Sequence, residues 1–245
     1  MVKRLTGALY ATWALTVMML GAALTSMPIW PFAVLPRGRR ERFAIWGARF
    51  FGWWCTYVVL LSRVNAVGLE NLPKKGGYLV VCNHRSWADV GLLIYLTASQ
   101  GISKKEVAYL PFFGLNGWLS GAIFFDRTKR ADRVRVPKEA VFLMKSGANL
   151  HIFPEGTRTR DGHLNPKVHL TVLRLAYDEG IPVLPAVVWG TEDAVPVSGF
   201  AVWPAQRMGL EVGPPLPREG HADGEAYARA VWDEVVALAT KRGVA

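Results

Sequence analysis

The sequence predicts an α/β domain at residues 65–245 that follows two membrane-associated helices at residues 1–64. From about Asn65 onward, short apolar runs alternate with charged, helix-permissive stretches, which is the pattern of an α/β fold. Before that point lies an uncharged apolar run at residues 5–27. Most of the positive charge is also there: up to Arg63, eight Lys or Arg residues accompany one Glu, giving +7 of the formal net charge of +10.

The first apolar run is long enough for a helix to cross a bilayer. A cleaved signal peptide is the alternative interpretation, because the chain begins with a basic stretch. The run is longer than a typical signal core, however, and a second apolar segment follows it. Between the two segments, residues 27–42 hold three prolines and a basic cluster. Prolines end a helix, and the cluster offers positive charge to lipid headgroups.

A second helix is predicted over residues 42–63. Its polar residues recur every seven positions, so they lie on one narrow stripe of a helix that is otherwise aromatic and aliphatic. These residues are Arg42, Arg49, Thr56 and Arg63. The pattern is typical of a helix that lies in a membrane interface. The alternative is a core helix with one solvated edge.

The basic charge favours a membrane over a nucleic acid as the polyanionic partner. Five of the ten Trp residues precede residue 55, close to the long apolar run and its basic flanks. Nucleic-acid binding would instead require basic and aromatic residues interleaved on a soluble face. The two cysteines, Cys55 and Cys82, fit small buried hydrophobic positions and are compatible with a reducing compartment.

The α/β part contains four clear strand patterns and a fifth candidate. The strands are predicted at residues 77–82, 121–125, 149–153 and 183–188, and the candidate at 207–213. Helices are predicted at residues 88–98, 133–146, 170–179 and 224–241.

Reactive residue types follow three of these strands directly. Asn83 and His84 follow the first strand, Asp126 and Arg127 follow the second, and "PEGTR" (residues 154–158) follows the third. In open α/β sheets, ligands bind beyond the carboxyl ends of the strands, so the three clusters are expected to converge on one crevice.

His84 and Asp89 form a candidate base and its orienting carboxylate. Five residues along a regular helix turn through about 140°, so the two side chains meet only if His84 lies in the turn before the helix. Asp89 can then bond one ring nitrogen, while the other takes a proton from a substrate hydroxyl. The sequence offers no G-x-S-x-G motif that would supply a protein nucleophile. A purely structural pair is the alternative.

The segment "FPEGTR" adds groups suited to an anion. Gly156 permits a sharp turn, and Arg158 offers a planar fork that fits phosphate or carboxylate. Glu155, directly after an apolar strand, is expected to be partly buried and to brace the loop. Arg127, Lys104 and the neighbouring Lys105 add cations that can reach the same crevice. An ordinary surface turn with a solvated charge run is the alternative.

The segment "NHRSWAD" resembles the H-x-x-x-x-D motif of the glycerolipid acyltransferases. "GAIFFDR", "FPEGTR" and "IPVLPAVV" resemble the second, third and fourth blocks of that family, in the same order. "KKEVAYLPFFG" is similar to the lysine-containing stretch between the first two blocks. The resemblance covers about residues 65–215 and implies a mixed sheet flanked by helices.

The resemblance also implies a reaction. A fatty acyl group would pass from acyl-CoA or acyl carrier protein to the free hydroxyl of a lysophospholipid, most often the sn-2 hydroxyl of lysophosphatidate. His84 would be the general base and Asp89 its orienter, with no acyl-enzyme, no metal and no further cofactor. The enzyme would be held on the membrane with its active domain facing the cytoplasm.

The same resemblance assigns binding roles. Arg158, Arg127 and Lys104 would hold the acceptor phosphate, while Glu155 and Gly156 would shape that pocket. One departure concerns the acceptor: many members follow "FPEGTR" with a Phe-Lys-Lys-Gly element, whereas this chain has "NPKVHL" at residues 165–170. Another lysophospholipid or a lyso-aminolipid is therefore the alternative acceptor, and a non-catalytic lipid-binding protein is the opposing class.

Overall fold

The computed structural model describes residues 2–159, 163–198 and 201–245. The helices are α1 (Val2–Ser26), α2 (Arg39–Trp53), α3 (Ala88–Thr97), α4 (Phe113–Ser120), α5 (Asp132–Lys145), α6 (Thr171–Asp178), α7 (Thr191–Ala194) and α8 (Gly224–Lys241). The strands are β1 (Arg63–Val67), β2 (Leu79–Cys82), β3 (Ser99–Lys104), β4 (Ile123–Phe125), β5 (Asn149–Ile152), β6 (Val183–Trp189) and β7 (Arg207–Val212).

The seven strands form one mixed sheet in the order β1-β7-β6-β2-β5-β3-β4. Strands β6, β2, β5, β3 and β4 are parallel to one another, and β7 pairs with β6 in the antiparallel sense. The carboxyl ends of the five parallel strands therefore lie along one edge. This arrangement confirms the α/β fold class with a mixed sheet, and it places the loops after β2, β5 and β4 on the same side.

All five predicted strand positions are strands in the structure, but β1 and β3 were not predicted. Strand β1 has the sequence "RVNAV" and is mostly exposed at the edge of the sheet. Strand β3 has the polar sequence "SQGISK" and is nevertheless buried over its first half. Neither sequence shows the apolar run or strict alternation by which a strand is recognised. Strand β1 also begins two residues before the predicted domain boundary.

The core occupies both faces of the sheet. Residues alternate along β2, so Leu79 and Val81 pack with α5, α6 and α8, while Val80 and Cys82 pack with α3. All four are buried, as expected for a parallel strand covered on both faces. The second face also receives Ala14 of α1.

Side-chain hydrogen bonds also join the segments of the amino-terminal part to one another. The Trp54 indole donates to the main-chain oxygen of Val17 (3.0 Å), and the Tyr10 hydroxyl donates to that of Val59 (2.6 Å). Gly21 makes the first contact possible, because a Cβ at this position would come within 2.3 Å of the Trp54 ring. Ala14, Trp54 and Val59 of this part pack in one core with residues of β2 and β6.

The second predicted helix is shorter than expected. Helix α2 ends at Trp53 and continues as a single π-helical turn, Trp54–Val59, before the chain enters β1. The predicted polar stripe is therefore wrong in its second half: Thr56 is buried and donates to the main-chain oxygen of Gly52 (2.8 Å). Arg42 and Arg49 are exposed, as the stripe requires.

The outer surface of this amino-terminal part is strongly apolar. Leu9–Val34 forms one helical segment that is long and apolar enough to cross a membrane, and less than a third of its most apolar part is buried inside the protein. Large apolar side chains of α1 and α2 are exposed, among them Leu9, Leu20, Leu24, Phe43, Trp46 and Phe50. A soluble protein rarely exposes so much contiguous apolar surface.

Candidate active site

His84 lies in the loop that joins β2 to α3, and Asp89 is the second residue of α3. His84 Nδ1 and Asp89 Oδ2 are 2.9 Å apart. Oδ2 also accepts hydrogen bonds from the main-chain N–H groups of Arg85 (2.6 Å) and Ser86 (2.7 Å). A carboxylate acts only as an acceptor, so this network assigns the proton to Nδ1 and leaves Nε2 as the basic nitrogen.

The His84 ring is held on one face by Phe153, the residue that follows β5. The two ring centroids are 4.0 Å apart and their planes differ by 12°. The ring of His151 also makes an edge contact with Phe153, with centroids 5.5 Å apart. Burial lowers the pKa of His151 to about 3, so this second histidine stays neutral. Phe153 therefore contacts both histidine rings.

Glu155 connects the loop after β5 to the main chain of His84. Oε1 accepts from the N–H of His84 (2.8 Å), while Oε2 accepts from the Thr159 hydroxyl and the Asn165 N–H (both 3.1 Å). Burial raises the pKa of Glu155, and these hydrogen bonds work in the opposite direction. The Thr159 N–H donates to His84 O (2.8 Å), which is a second hydrogen bond between this loop and the main chain of His84. Glu155 thus braces the site through its protein contacts.

Gly156 adopts the left-handed conformation, with φ of +64°, which favours glycine. A Cβ at this position would come within 3.1 Å of the His169 ring. The Gly156 carbonyl accepts a hydrogen bond from the Arg127 guanidinium. This bond brings the loop after β4 to the loop after β5.

Arg158 lies over the ring of Trp87, with its Cζ 5.1 Å from the ring centroid. Trp87 belongs to the turn between His84 and Asp89, so Arg158 lies close to that turn. Lys104 is exposed at the carboxyl end of β3, on the same edge of the sheet. Lys105 instead donates to Asp126 (2.7 Å) and helps to hold the pKa of that carboxyl well below its usual range. The structure therefore brings Arg127 and Arg158 to the loops beside His84, whereas for Lys104 it shows only a position at the same edge of the sheet.

Several structural partners of the site were not predicted from the sequence. The buried Asn83 side chain pairs with both main-chain groups of Val188, accepting from N–H (2.8 Å) and donating to the carbonyl (3.1 Å). Arg85 donates to Glu192 (2.6 Å) and to the Val244 carbonyl (3.0 Å). Glu192 follows strand β6. The search for polar residues directly after strands, which located His84, Arg127 and Arg158, could therefore also have located Glu192.

The arrangement is suited to deprotonating a hydroxyl. The nucleophilic side chains next to His84 are already engaged: the Ser86 hydroxyl donates to Val195 O (2.7 Å), and burial raises the pKa of the Cys82 thiol well above its usual value. In the described part of the chain, no three His, Cys, Asp or Glu side chains gather as metal ligands would. The geometry therefore leaves a basic nitrogen, His84 Nε2, near the guanidinium groups of Arg127 and Arg158.

The chain is similar to known acyltransferases in sequence. A family model described as Acyltransferase matches residues 63–189. A 1-acyl-sn-glycerol-3-phosphate acyltransferase of Pseudomonas aeruginosa is 31% identical over 193 residues, which are 78% of this chain and 72% of that protein. The human 1-acyl-sn-glycerol-3-phosphate acyltransferase alpha is 32% identical over 171 residues, which are 69% of this chain but only 60% of the human protein.

The structure is also similar to a solved one. The crystal structure of the 1-acyl-sn-glycerophosphate (LPA) acyltransferase PlsC from Thermotoga maritima has a TM-score of 0.77 and 27% sequence identity, and the match covers 99% of this chain and 95% of that chain. The residues matched by the family model include His84, Asp89 and the arginines beside them. The chain therefore belongs to the acyltransferase family.

Proposed function

We propose that this chain moves a fatty acyl group from acyl-CoA or acyl carrier protein to the sn-2 hydroxyl of 1-acyl-sn-glycerol-3-phosphate, giving phosphatidic acid. The names of the relatives and of the structural neighbour support this acceptor. The observation that carries the proposal is the 2.9 Å contact between His84 Nδ1 and Asp89 Oδ2, because it leaves Nε2 as a base.

In the proposed reaction, His84 Nε2 takes the proton of the acceptor hydroxyl while that oxygen attacks the thioester carbonyl. The tetrahedral adduct then expels the thiolate, which receives the same proton from the imidazolium. One ester bond forms, one thioester bond breaks, and no proton is gained or lost. Asp89 stabilises the positive ring during the step. The reaction so written uses no metal and no cofactor apart from the thioester donor.

The acceptor phosphate is proposed to bind Arg158, Arg127 and Lys104. A phosphate monoester carries about −1.5 to −2 charges at neutral pH, and a guanidinium can meet it with two parallel hydrogen bonds. Arg127 donates to Gly156 O, and Arg158 extends from the same loop two residues later. The Glu155 and Thr159 bonds join that loop to His84, so phosphate and base belong to one rigid site.

The enzyme is proposed to work on the membrane, with the amino-terminal helices inserted and the α/β domain facing the cytoplasm. The exposed apolar side chains of α1 and α2 support attachment, since burying them in lipid removes them from water. An acceptor with a long acyl chain stays in the bilayer, whereas the thioester donors are carried by soluble groups. A site on a membrane-attached domain gives access to both.

A different lysophospholipid or a lyso-aminolipid is the second candidate acceptor. The observation that favours it is the position of His169, whose ring lies within 3.1 Å of a Cβ built on Gly156. This histidine belongs to "NPKVHL", where the resemblance leads one to expect lysines. An imidazole ring has fewer hydrogen-bond donors for a phosphate monoester than a lysine ammonium group has.

The test is a transfer assay of the detergent-solubilised, purified protein against a panel of lysolipids, with acyl-CoA and acyl carrier protein as donors. Lysophosphatidate should give the highest kcat/KM, and His84→Ala should reduce turnover of every acceptor. If a phosphodiester lysolipid or a lyso-aminolipid were better by a wide margin, the named acceptor would be wrong. Lipid binding without transfer to any acceptor would overturn the enzymatic proposal and leave a lipid-binding protein.

A further inference from the structure

We infer that Trp87 is a positioning residue for Arg158 and that, through Arg158, it favours an acceptor with a phosphate monoester. The inference rests on the function proposed above and adds a specificity-determining residue to it. Trp87 lies between His84 and Asp89, yet the proton transfer described above does not use it.

The exposure of Trp87 is unusual for its place in the chain. The side chains around it, Ser86 and Asp89, are fully buried, whereas Trp87 is 55% exposed. Leaving an indole in water forgoes a large apolar burial, so a contact made by the exposed ring is the simplest reason for its position. The contact present is the Arg158 guanidinium, 5.1 Å from the ring centroid and within the range of a cation–π interaction.

The main chain fixes these two side chains next to each other. The Thr159 N–H donates to His84 O (2.8 Å), and Glu155 Oε1 accepts from His84 N–H (2.8 Å). The two bonds set the register between the turn that carries Trp87 and the loop that carries Arg158. The pairing of indole and guanidinium is therefore a consequence of the braced loops.

The chemistry of the pair suits phosphate recognition. An aromatic ring interacts with the flat face of a guanidinium, whereas phosphate oxygens accept hydrogen bonds from its edge, so both interactions can be made at once. A long arginine side chain that is already held against a ring loses less rotamer freedom when a ligand binds. Trp87 would thus lower the KM for the acceptor without touching the reacting atoms.

A double-mutant cycle tests this role. Trp87→Ala should raise the lysophosphatidate KM roughly 3- to 30-fold. It should leave kcat and the donor KM nearly unchanged, and Trp87→Phe should restore most of the affinity. In an Arg158→Ala background, adding Trp87→Ala should change the acceptor KM very little, because Trp87 acts through the missing arginine. The preference for lysophosphatidate over a phosphodiester lysolipid should fall in Trp87→Ala.

The matched control is Trp46→Ala. Trp46 is also about half exposed, but it lies beside Tyr95 at the far end of α3, so its loss reports on contact with the lipid surface in general. An equal KM increase in Trp46→Ala would overturn the inference, as would an undiminished effect of Trp87→Ala in the Arg158→Ala background. Trp87→Leu, which retains bulk but lacks the ring, replaces Trp87→Ala if that variant does not fold. Failure of the wild-type protein to use lysophosphatidate would instead refute the proposed function.

Discussion

Asp89 is a fully buried carboxylate, and such a group is tolerated only where it accepts hydrogen bonds. One oxygen accepts from His84 and from two main-chain N–H groups of the turn. The helix amino terminus adds a favourable dipole, because Asp89 lies in its first turn. The same contacts that make the charge tolerable also fix the ring of the proposed base.

Asp89→Asn should therefore reduce turnover by about 10²- to 10⁴-fold. The amide has nearly the same size, but it can present a donor to Nδ1 and so favour the wrong tautomer of His84. Steady-state kcat at saturating donor and acceptor measures the loss. Asp233→Asn, on the exposed face of α8, is the matched control and should remain active. An Asp89→Asn protein with wild-type kcat would show that the tautomer does not matter.

His151 should make the fold sensitive to acid. Its folded pKa of about 3 is below the unfolded value of about 6.5, so between these values only the unfolded chain takes up the proton. The free energy of unfolding should then fall as the pH decreases, by about 1.4 kcal/mol per pH unit for this group. The stability that it contributes is fully present above the unfolded pKa.

Urea unfolding of His151→Asn between about pH 6 and pH 4 should show a shallower loss of stability than the wild type. If His151→Asn and the wild type had the same slope, His151 would have to be protonated within the folded protein.

Sequence alone could locate His84, Asp89, Arg127 and Arg158, because each follows a recognisable strand or stands in a spaced motif. It could not show that Phe153 stacks on His84, since that contact depends on how two neighbouring strands are registered in the sheet. The bracing role of Glu155 was expected in outline, whereas its partner, the main chain of His84, came from the structure.

At the scale of elements, the turn after β2 is bonded to the segment after β6 as well as to the loop after β5. Arg85 pairs with Glu192 of α7, and the Ser86 hydroxyl donates to Val195 O just beyond that helix. Arg85 is largely buried, so the loss of its partner would leave a charge with reduced solvation. Helix α7 is thus a support for the turn that carries His84.

Glu192→Ala should lower the free energy of unfolding by about 1–3 kcal/mol, less than for a fully buried pair because Glu192 is partly exposed. It should also lower kcat, because the turn loses one of its supports. Chemical unfolding and steady-state kinetics measure the two effects. Glu219→Ala, an exposed acid with no such role, is the control. Unchanged stability and kcat in Glu192→Ala would show that α7 does not support the turn that carries His84.

Strong apolar patterns predicted β2, β5 and β6 well, and a shorter one predicted β4. Strand β3 was missed because the sheet, and not its own sequence, buries it: its polar side chains find partners there, such as the Gln100 bond to Ser120 (2.5 Å). Helix α2 was predicted too long, because a heptad pattern carries no information on where a π-helical turn will end the helix.

At the scale of the whole molecule, the amino-terminal part has two roles. Its inner face completes the core beside Leu92 and Leu184, and its outer face exposes large apolar side chains. We expect this outer face to hold the protein on membranes even at high salt, because apolar burial persists when charge attraction is screened.

Washing isolated membranes with concentrated salt, and then with detergent, checks this expectation. The protein should stay in the membrane fraction after salt and be released by detergent. Release by salt alone would mean that the exposed apolar surface does not enter the lipid. A variant in which Phe43, Trp46 and Phe50 are all replaced by Ser should leave the membrane fraction at a lower detergent concentration than the wild type. Its unfolding temperature should be close to that of the wild type.

The central claim is that His84 is the base for acyl transfer to a lysolipid hydroxyl. The most direct test measures transfer of a labelled acyl group from acyl-CoA to lysophosphatidate by purified wild-type protein and His84→Ala, after both have been shown to unfold at similar temperatures. The predicted result is a wild-type protein that forms phosphatidic acid and a variant that is slower by about 10²- to 10⁴-fold. A folded His84→Ala protein that kept most of the wild-type rate would contradict the claim.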